Sequence, residues 1–142
     1  MNSSTLEGVE PAAVWQFFTR LSAVPRPSKR EHRAQQFVLD VAKQHNLSAA
    51  VDSTGNVVIT VPATPGHENA PITVLQGHLD MVCEKNSGTE HDFDTDGIRL
   101  VRDQDAKGEP ILRADGTTLG ADNGIGVAMA LAAATCDEVV HG

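Results

Sequence analysis

Ile72-Thr73-Val74-Leu75-Gln76-Gly77-His78-Leu79-Asp80-Met81-Val82 joins an apolar, β-branched run to a histidine and an aspartate two residues apart. The first four residues have the strongest strand character in the chain, and a strand there would deliver His78 at its end on rigid backbone. A second stretch, Thr117-Thr118-Leu119-Gly120-Ala121-Asp122-Asn123-Gly124-Ile125-Gly126, opens a run of small residues that reads as a helix. Together the two stretches place one histidine and two acidic residues where a metal would need them. A hydrolytic two-metal site is the sharpest reading of that pattern.

Outward from these stretches the chain alternates helix and strand, which favours an α/β sheet. Pro11 suits a first helical turn, and Val14, Trp15, Phe17, Phe18 and Leu21 follow on one apolar face until Pro25 ends the helix. Ser28, with Glu31 three residues later, reads as a capping box. The stripe Ala34, Phe37, Val38, Val41 and Ala42 then continues to about His45, with Asn46 as the stop. Residues 48–52 and 56–61 read as a hairpin about Thr54-Gly55-Asn56. Residues 62–71, rich in Pro, Gly and Asn, read as a surface loop feeding the run that ends at His78. An acidic loop follows through Glu84, Glu90, Asp92, Asp94 and Asp96, then a second hairpin, 98–101 with 110–113. Asn123 or Asp122 is placed to cap a helix over 124–134, whose small residues predict close packing against a sheet. There is no internal repeat and no low-complexity tract.

At 142 residues the chain is one domain's worth, long enough to bury about two-thirds of its unfolded surface. Its 11 Lys and Arg against 19 Asp and Glu give a net charge of -8, which disfavours nucleic acid and anionic membrane as partners. Cys83 and Cys136 lack C-x-x-C spacing and read as free thiols of a reducing compartment. Met1-Asn2-Ser3-Ser4-Thr5-Leu6-Glu7 has neither a basic nor an apolar targeting region, and no stretch has the apolar length of a membrane span, so the expected location is the cytoplasm.

In an extended backbone, residues two apart face the same side, so His78 and Asp80 can share a pocket. One can ligate while the other orients, since a metal-bound imidazole usually donates its second ring N–H to a carboxylate. The spacing also allows direct ligation by Asp80. Asp122, at a loop-to-helix junction with glycines on both sides, is placed to bridge two cations. Two cations about 3.5–4 Å apart can polarise a carbonyl and activate a shared water, although a base must still take the proton.

At these residues the chain resembles the aminoacyl-histidine dipeptidase family, also called peptidase D or cytosol non-specific dipeptidase, among the di-zinc exopeptidases. The resemblance runs from Trp15-Gln16-Phe17-Phe18 and Pro25-Arg26-Pro27-Ser28 through Thr54-Gly55-Asn56, Pro62-Ala63-Thr64-Pro65-Gly66 and Gly116-Thr117-Thr118-Leu119-Gly120-Ala121-Asp122-Asn123-Gly124. Its most specific parts are His78-Leu79-Asp80-Met81-Val82 and the glycine-rich stretch about Asp122. The resemblance implies a mixed β-sheet flanked by helices, of the phosphorylase/hydrolase-like kind, with residues 1–142 forming the amino-terminal part of the catalytic domain. It makes His78 a ligand of one zinc, Asp80 the catalytic residue that orients it, and Asp122 the carboxylate bridging two Zn2+. Manganese or cobalt would suit the same donors. The implied substrates are unblocked dipeptides, including those ending in histidine, and a homodimer of the complete protein is allowed.

The family carries a Glu-Glu pair after the helix that follows the bridging aspartate, one glutamate as base and one as ligand. This sequence reaches Val139-Val140-His141-Gly142 without it, and without the later acidic and histidine ligands, so it reads as an amino-terminal fragment. Asp137-Glu138 matches no family position. If the chain is complete as it stands, the alternative is an inactive metal-binding or interaction module.

Several residues have plainer readings. His32, His45, His67, His91 and His141 read as surface residues. The acidic run reads as a solvated loop, and Asp115-Gly116 as a tight turn without the ligand order of an EF-hand. Cys83 reads as a packed thiol with no base beside it. Alone, His78 would read as a hydrogen-bonded rim residue, and Asp80 and Asp122 as turn or cap residues; the pairing of the two motifs favours the site.

Overall fold

A computed structural model describes Leu6 and residues 8–142. The targeting-region reading of Met1 to Glu7 therefore falls, Leu6 apart, outside the described residues. The α/β class is as expected: α1 (Ala12–Ser22), α2 (His32–Gln44), β1 (Ser48–Val51), β2 (Val57–Thr60), β3 (Leu100–Gln104), β4 (Pro110–Ala114) and α3 (Ala121–Ala134). No helix among the described residues is long and apolar enough to cross a membrane.

Pro11 stands just before α1, where its missing N–H leaves nothing unsatisfied, and Glu10 Oε2 accepts the Ala12 N–H at 2.8 Å. The helix buries Phe17, Phe18, Leu21 and Ser22. In α2 the buried residues are Ala34, Val38, Val41 and Ala42, the i, i+4, i+7, i+8 stripe of an amphipathic helix. Asn46 ends it in the left-handed region at φ 56°. The Leu47 N–H donates to Ala42 O and the Asn46 N–H to Lys43 O, the pair of bonds of a Schellman stop. The expected capping box at its start does not form. Glu31 turns its carboxylate to the Lys29 N–H, and the Ser28 hydroxyl donates to Asp80 instead.

Both expected hairpins are present and antiparallel, β1 with β2 in the register Ser48↔Thr60 to Val51↔Val57, and β3 with β4 from Leu100↔Ala114 to Gln104↔Pro110. One device closes both. Asp52 Oδ1 accepts the N–H groups of Thr54 and Asn56, and Asp105 Oδ1 those of Lys107 and Glu109. Leu100 and Ala114, at the open end of the second hairpin, enter the core.

Two expectations are corrected. Residues 72–75 form no strand: Ile72 is 83% exposed and Val74 81%, with no ladder partner among the described residues. Strand propensity is expressed through neighbours that pair and pack, and here there are none. The small residues of α3 pack not on a sheet but on α1. A Cβ added at Gly124 would meet Phe18 Cε2 at 3.2 Å, so the glycine lets the two helices approach. Phe17, Phe18 and Leu21 of α1 meet Val127, Ala128, Leu131 and Ala132 of α3 in one core with Val38, Val41, Met81 and Ile98.

Candidate functional site

The chain after residue 76 passes beside the chain before α3, and several bonds hold the two together. Thr118 Oγ1 donates to Val82 O at 2.7 Å, the Thr118 N–H donates to Glu84 O at 2.9 Å, and an isolated antiparallel bridge pairs Lys85 with Thr117. On the other side, an isolated parallel bridge pairs Pro27 with Met81, whose N–H donates to Arg26 O at 3.0 Å. His78 and Asp80, two residues apart, meet Asp122, 44 positions from His78, at this junction.

The His78 ring lies between two carboxylates. Nδ1 is 3.0 Å from Asp80 Oδ1 and Nε2 is 3.1 Å from Asp122 Oδ1. A neutral imidazole has a single N–H and cannot donate to both carboxylates. Either a second proton or another cation must occupy the Nε2 side for the arrangement to be favourable. Burial disfavours the charged ring, but the hydrogen bonds to Asp122 and Asp80 outweigh it, and the His78 pKa lies above the ordinary histidine value. The Ser28 hydroxyl donates to Asp80 Oδ2, and that bond, with the His78 contact, holds the Asp80 carboxyl below its usual range against a smaller opposing effect of burial.

The geometry separates the two carboxylates. Asp80 is engaged from both sides, by Ser28 on one oxygen and His78 on the other, and its side chain is 32% exposed. Asp122 is 94% exposed, and no hydrogen bond ties its carboxylate to α3. The capping role expected of Asp122 or Asn123 is not taken up. Both residues have non-helical backbone angles, and no side chain caps the helix. The Asp122 carboxylate reaches the His78 ring instead. A cation between Nε2 and Oδ1 would meet one nitrogen and one carboxylate donor, with Asp80 behind the ring fixing the proton on Nδ1. Among the described residues no group of three or more His, Cys, Asp or Glu side chains is arranged to hold a metal ion.

Two residues given no part in the site by the sequence reading belong to this junction. Ser28 carried a signal, a hydroxyl three residues before Glu31, but it pointed to a helix cap. Arg26 carried none beyond its place between two prolines. It is 1% exposed, and its guanidinium donates from Nη1 to Leu79 O at 3.1 Å and Asp80 O at 3.3 Å, and from Nη2 to Gly120 O at 2.7 Å.

Most of the plainer readings elsewhere fit: His32, His45 and His67 are exposed, and so are Asp137 and Glu138. The surface reading of His91 and His141 is corrected, since both are half-buried; the His91 ring packs edge-on against Phe93, and its Nε2 is buried with no hydrogen-bond partner among the described residues. Asp92 and Asp96 accept backbone N–H groups within their own loop, while Asp94 pairs with Arg30 at 2.6 Å. Cys83 and Cys136 are free thiols, and burial raises the Cys83 pKa despite Arg26 and Arg30 nearby, which leaves a protonated thiol rather than a nucleophile.

No family model matches the chain. It is similar to the cytosol non-specific dipeptidase of Escherichia coli (strain K12), 43% identical over 139 residues, which are 98% of this chain and 28% of that protein. It is also similar to the crystal structure of aminoacylhistidine dipeptidase from Vibrio alginolyticus, with TM-score 0.87 and 44% identity over 96% of this chain and 27% of the other. The chain thus spans little more than a quarter of the length of the relatives it matches.

Proposed function

We propose that this chain forms the amino-terminal part of the catalytic domain of a cytoplasmic, metal-dependent dipeptidase, and that it supplies some but not all of the site. One observation carries the reading: an imidazole held between two carboxylates, one tied back by Ser28 and the other free toward solvent. Support comes also from the likeness, in sequence and fold, to two proteins named as dipeptidases.

His78 and Asp122 are the metal-holding residues in this reading, and Asp80 is the residue that orients His78. The donors fit zinc, with manganese or cobalt as alternatives. When bound, a pair of such ions polarises the scissile carbonyl and makes water acidic enough to serve as nucleophile at neutral pH. The chain's own part is to keep the His78 proton on Nδ1 through Asp80, to leave Nε2 free as a donor, and to present an open carboxylate beside it. The base and the remaining ligands lie outside these residues. The substrate is an unblocked dipeptide, Xaa-His among others. The acidic balance sets nucleic acid and anionic membrane aside as partners, and the resemblance leaves room for a homodimer of the complete protein.

The test counts Zn2+ per chain after dialysis in the wild type, His78→Ala and Asp122→Ala, and assays Xaa-His hydrolysis by the 142-residue chain and by a protein extended to its relatives' length. Zinc should be lost in both variants, and only the extended protein should turn over. Unchanged zinc content in either variant removes that ligand assignment. Zinc-dependent turnover by the 142-residue chain alone removes the partial-site reading.

A further inference from the structure

We infer that Arg26 is a positioning residue that sets the separation of His78 and Asp122 by clamping the main chain of both site segments at once. The inference deepens the proposed function, on which its metal-binding arm rests, and its geometric arm stands without any metal. Arg26 is almost wholly buried, and burial lowers its pKa against the opposing pull of Asp80. Among the described residues no carboxylate hydrogen-bonds to it. All three of its side-chain bonds go to main-chain carbonyls, two on Leu79 and Asp80, immediately after His78, and one on Gly120, two residues before Asp122.

A planar fork with diverging donors suits acceptors on two separate strands of chain, whereas a lysine ammonium is a point charge on a flexible stem. The fit at Gly120 is close. That residue is left-handed at φ 70°, and a Cβ there would stand 2.6 Å from Arg26 Nη2 and 2.8 Å from Met81 sulfur. The neighbours of Arg26 serve the same junction from the same side, Pro27 by its bridge to Met81 and Ser28 by its bond to Asp80. Ser28 touches only the His78 half, however, while Arg26 reaches both. A buried ion or polar group with no task is commonly replaceable by an apolar one at no loss. Arg26 differs because its removal frees three carbonyls in the two segments whose spacing defines the site.

The test has a metal-free and a metal-bound arm, both on the full chain, with folding checked by circular dichroism. In the metal-free chain at fixed pH, Asp122→Asn should shift the His78 Nε2 signal in 15N NMR spectra, because the two groups touch. In the Arg26→Met background that shift should vanish, and in Arg26→Lys it should fall by about half, because one head group cannot serve both segments at once. In the metal-bound arm, Arg26→Met should weaken Zn2+ binding roughly 10–100-fold, as loss of outer-sphere support does. The loss should shrink to within about 3-fold in the Asp122→Ala background, the non-additivity expected of coupled residues. Penalties that simply add would reduce Arg26 to a stabiliser of the fold and overturn the inference. A full Asp122-induced shift in either Arg26 variant overturns it as well, and Arg26→Lys decides the question if Arg26→Met does not fold. A wild-type chain that binds no zinc would defeat the ligand reading while leaving the NMR arm to decide the role of Arg26.

Discussion

Asp52 and Asp122 are both exposed aspartates, and they use their carboxylates in opposite ways. Asp52 accepts four hydrogen bonds from Thr54 and Asn56, backbone and side chain of each, all within four residues of itself. Among the described residues the Asp122 carboxylate pairs with a histidine 44 residues away. The first carboxylate is saturated by its own turn and has little acceptor capacity left for anything else. The second is held by backbone geometry next to an imidazole and remains open. An exposed acidic residue is therefore read by which of its lone pairs are already taken, and the same contrast separates the self-contained β1–β2 hairpin from the site segments, which only long-range bonds bring together.

The strongest way to break the contrast is to remove both carboxylates in turn. Asp122→Ala should lower zinc affinity by more than about 100-fold, beyond the range of outer-sphere changes, while Asp52→Ala leaves it unchanged. Isothermal titration of each chain with Zn2+ measures both, and equal losses would mean that Asp122 is no more a ligand than Asp52. Next in size is Asp80→Ala, which leaves the ligands in place but frees the ring; a loss of about 10–100-fold is expected. Ser28→Ala, which leaves the His78–Asp80 bond intact, should cost less than Asp80→Ala. A Ser28 variant as weak as the Asp80 variant would make the hydroxyl, not the carboxylate, the element that orients His78.

How much of this was legible in the sequence follows the same division. The hairpins, the α1 and α2 faces and the Asn46 stop are local, set by residues within a few positions of one another, and each was readable. The resemblance carried by His78-Leu79-Asp80 and by the stretch around Asp122 is matched by the likeness in sequence and in fold. Ser28 was misread because a local rule, the capping box, competed with a bond to a residue 52 positions away. Residues 72–75 were misread for the converse reason: β-branched side chains express strand character only against partners, and the described residues offer none. Arg26 was silent because its bonds go to main-chain carbonyls, which every residue has and no motif records.

A smaller effect tests the saturated member of the pair through pH. The Asn56 and Thr54 side chains, followed by the backbone N–H of Asn56, hold the Asp52 carboxyl well below the usual carboxylate range. Its folded pKa is thus lower than its unfolded pKa of about 3.9. The stabilisation it gives is complete above about pH 4 and is lost as pH falls toward the folded value. The Asn56 amide should keep its hydrogen-exchange protection down to pH 4 and lose it progressively below. In Asp52→Asn this acid-dependent step should be absent. A step of equal size in both chains would show that the turn does not depend on the charge.

The smallest expected effect on folding comes from the segment that leads into the site. Ile72 and Val74 are more than three-quarters exposed and pair with no strand among the described residues, so Ile72→Thr with Val74→Lys should change unfolding free energy by no more than about 0.5 kcal/mol, as at any unengaged surface position. The same segment, with β-branched residues and unpaired main-chain groups, is a ready template for edge-to-edge pairing, and a lysine there opposes it. Sedimentation velocity should therefore find the wild-type chain self-associating with rising concentration and the double variant less so, at equal thermal stability. A large loss of stability would instead place these side chains in the folded core, and the unpaired segment would then resemble the hairpins rather than the open half of the site.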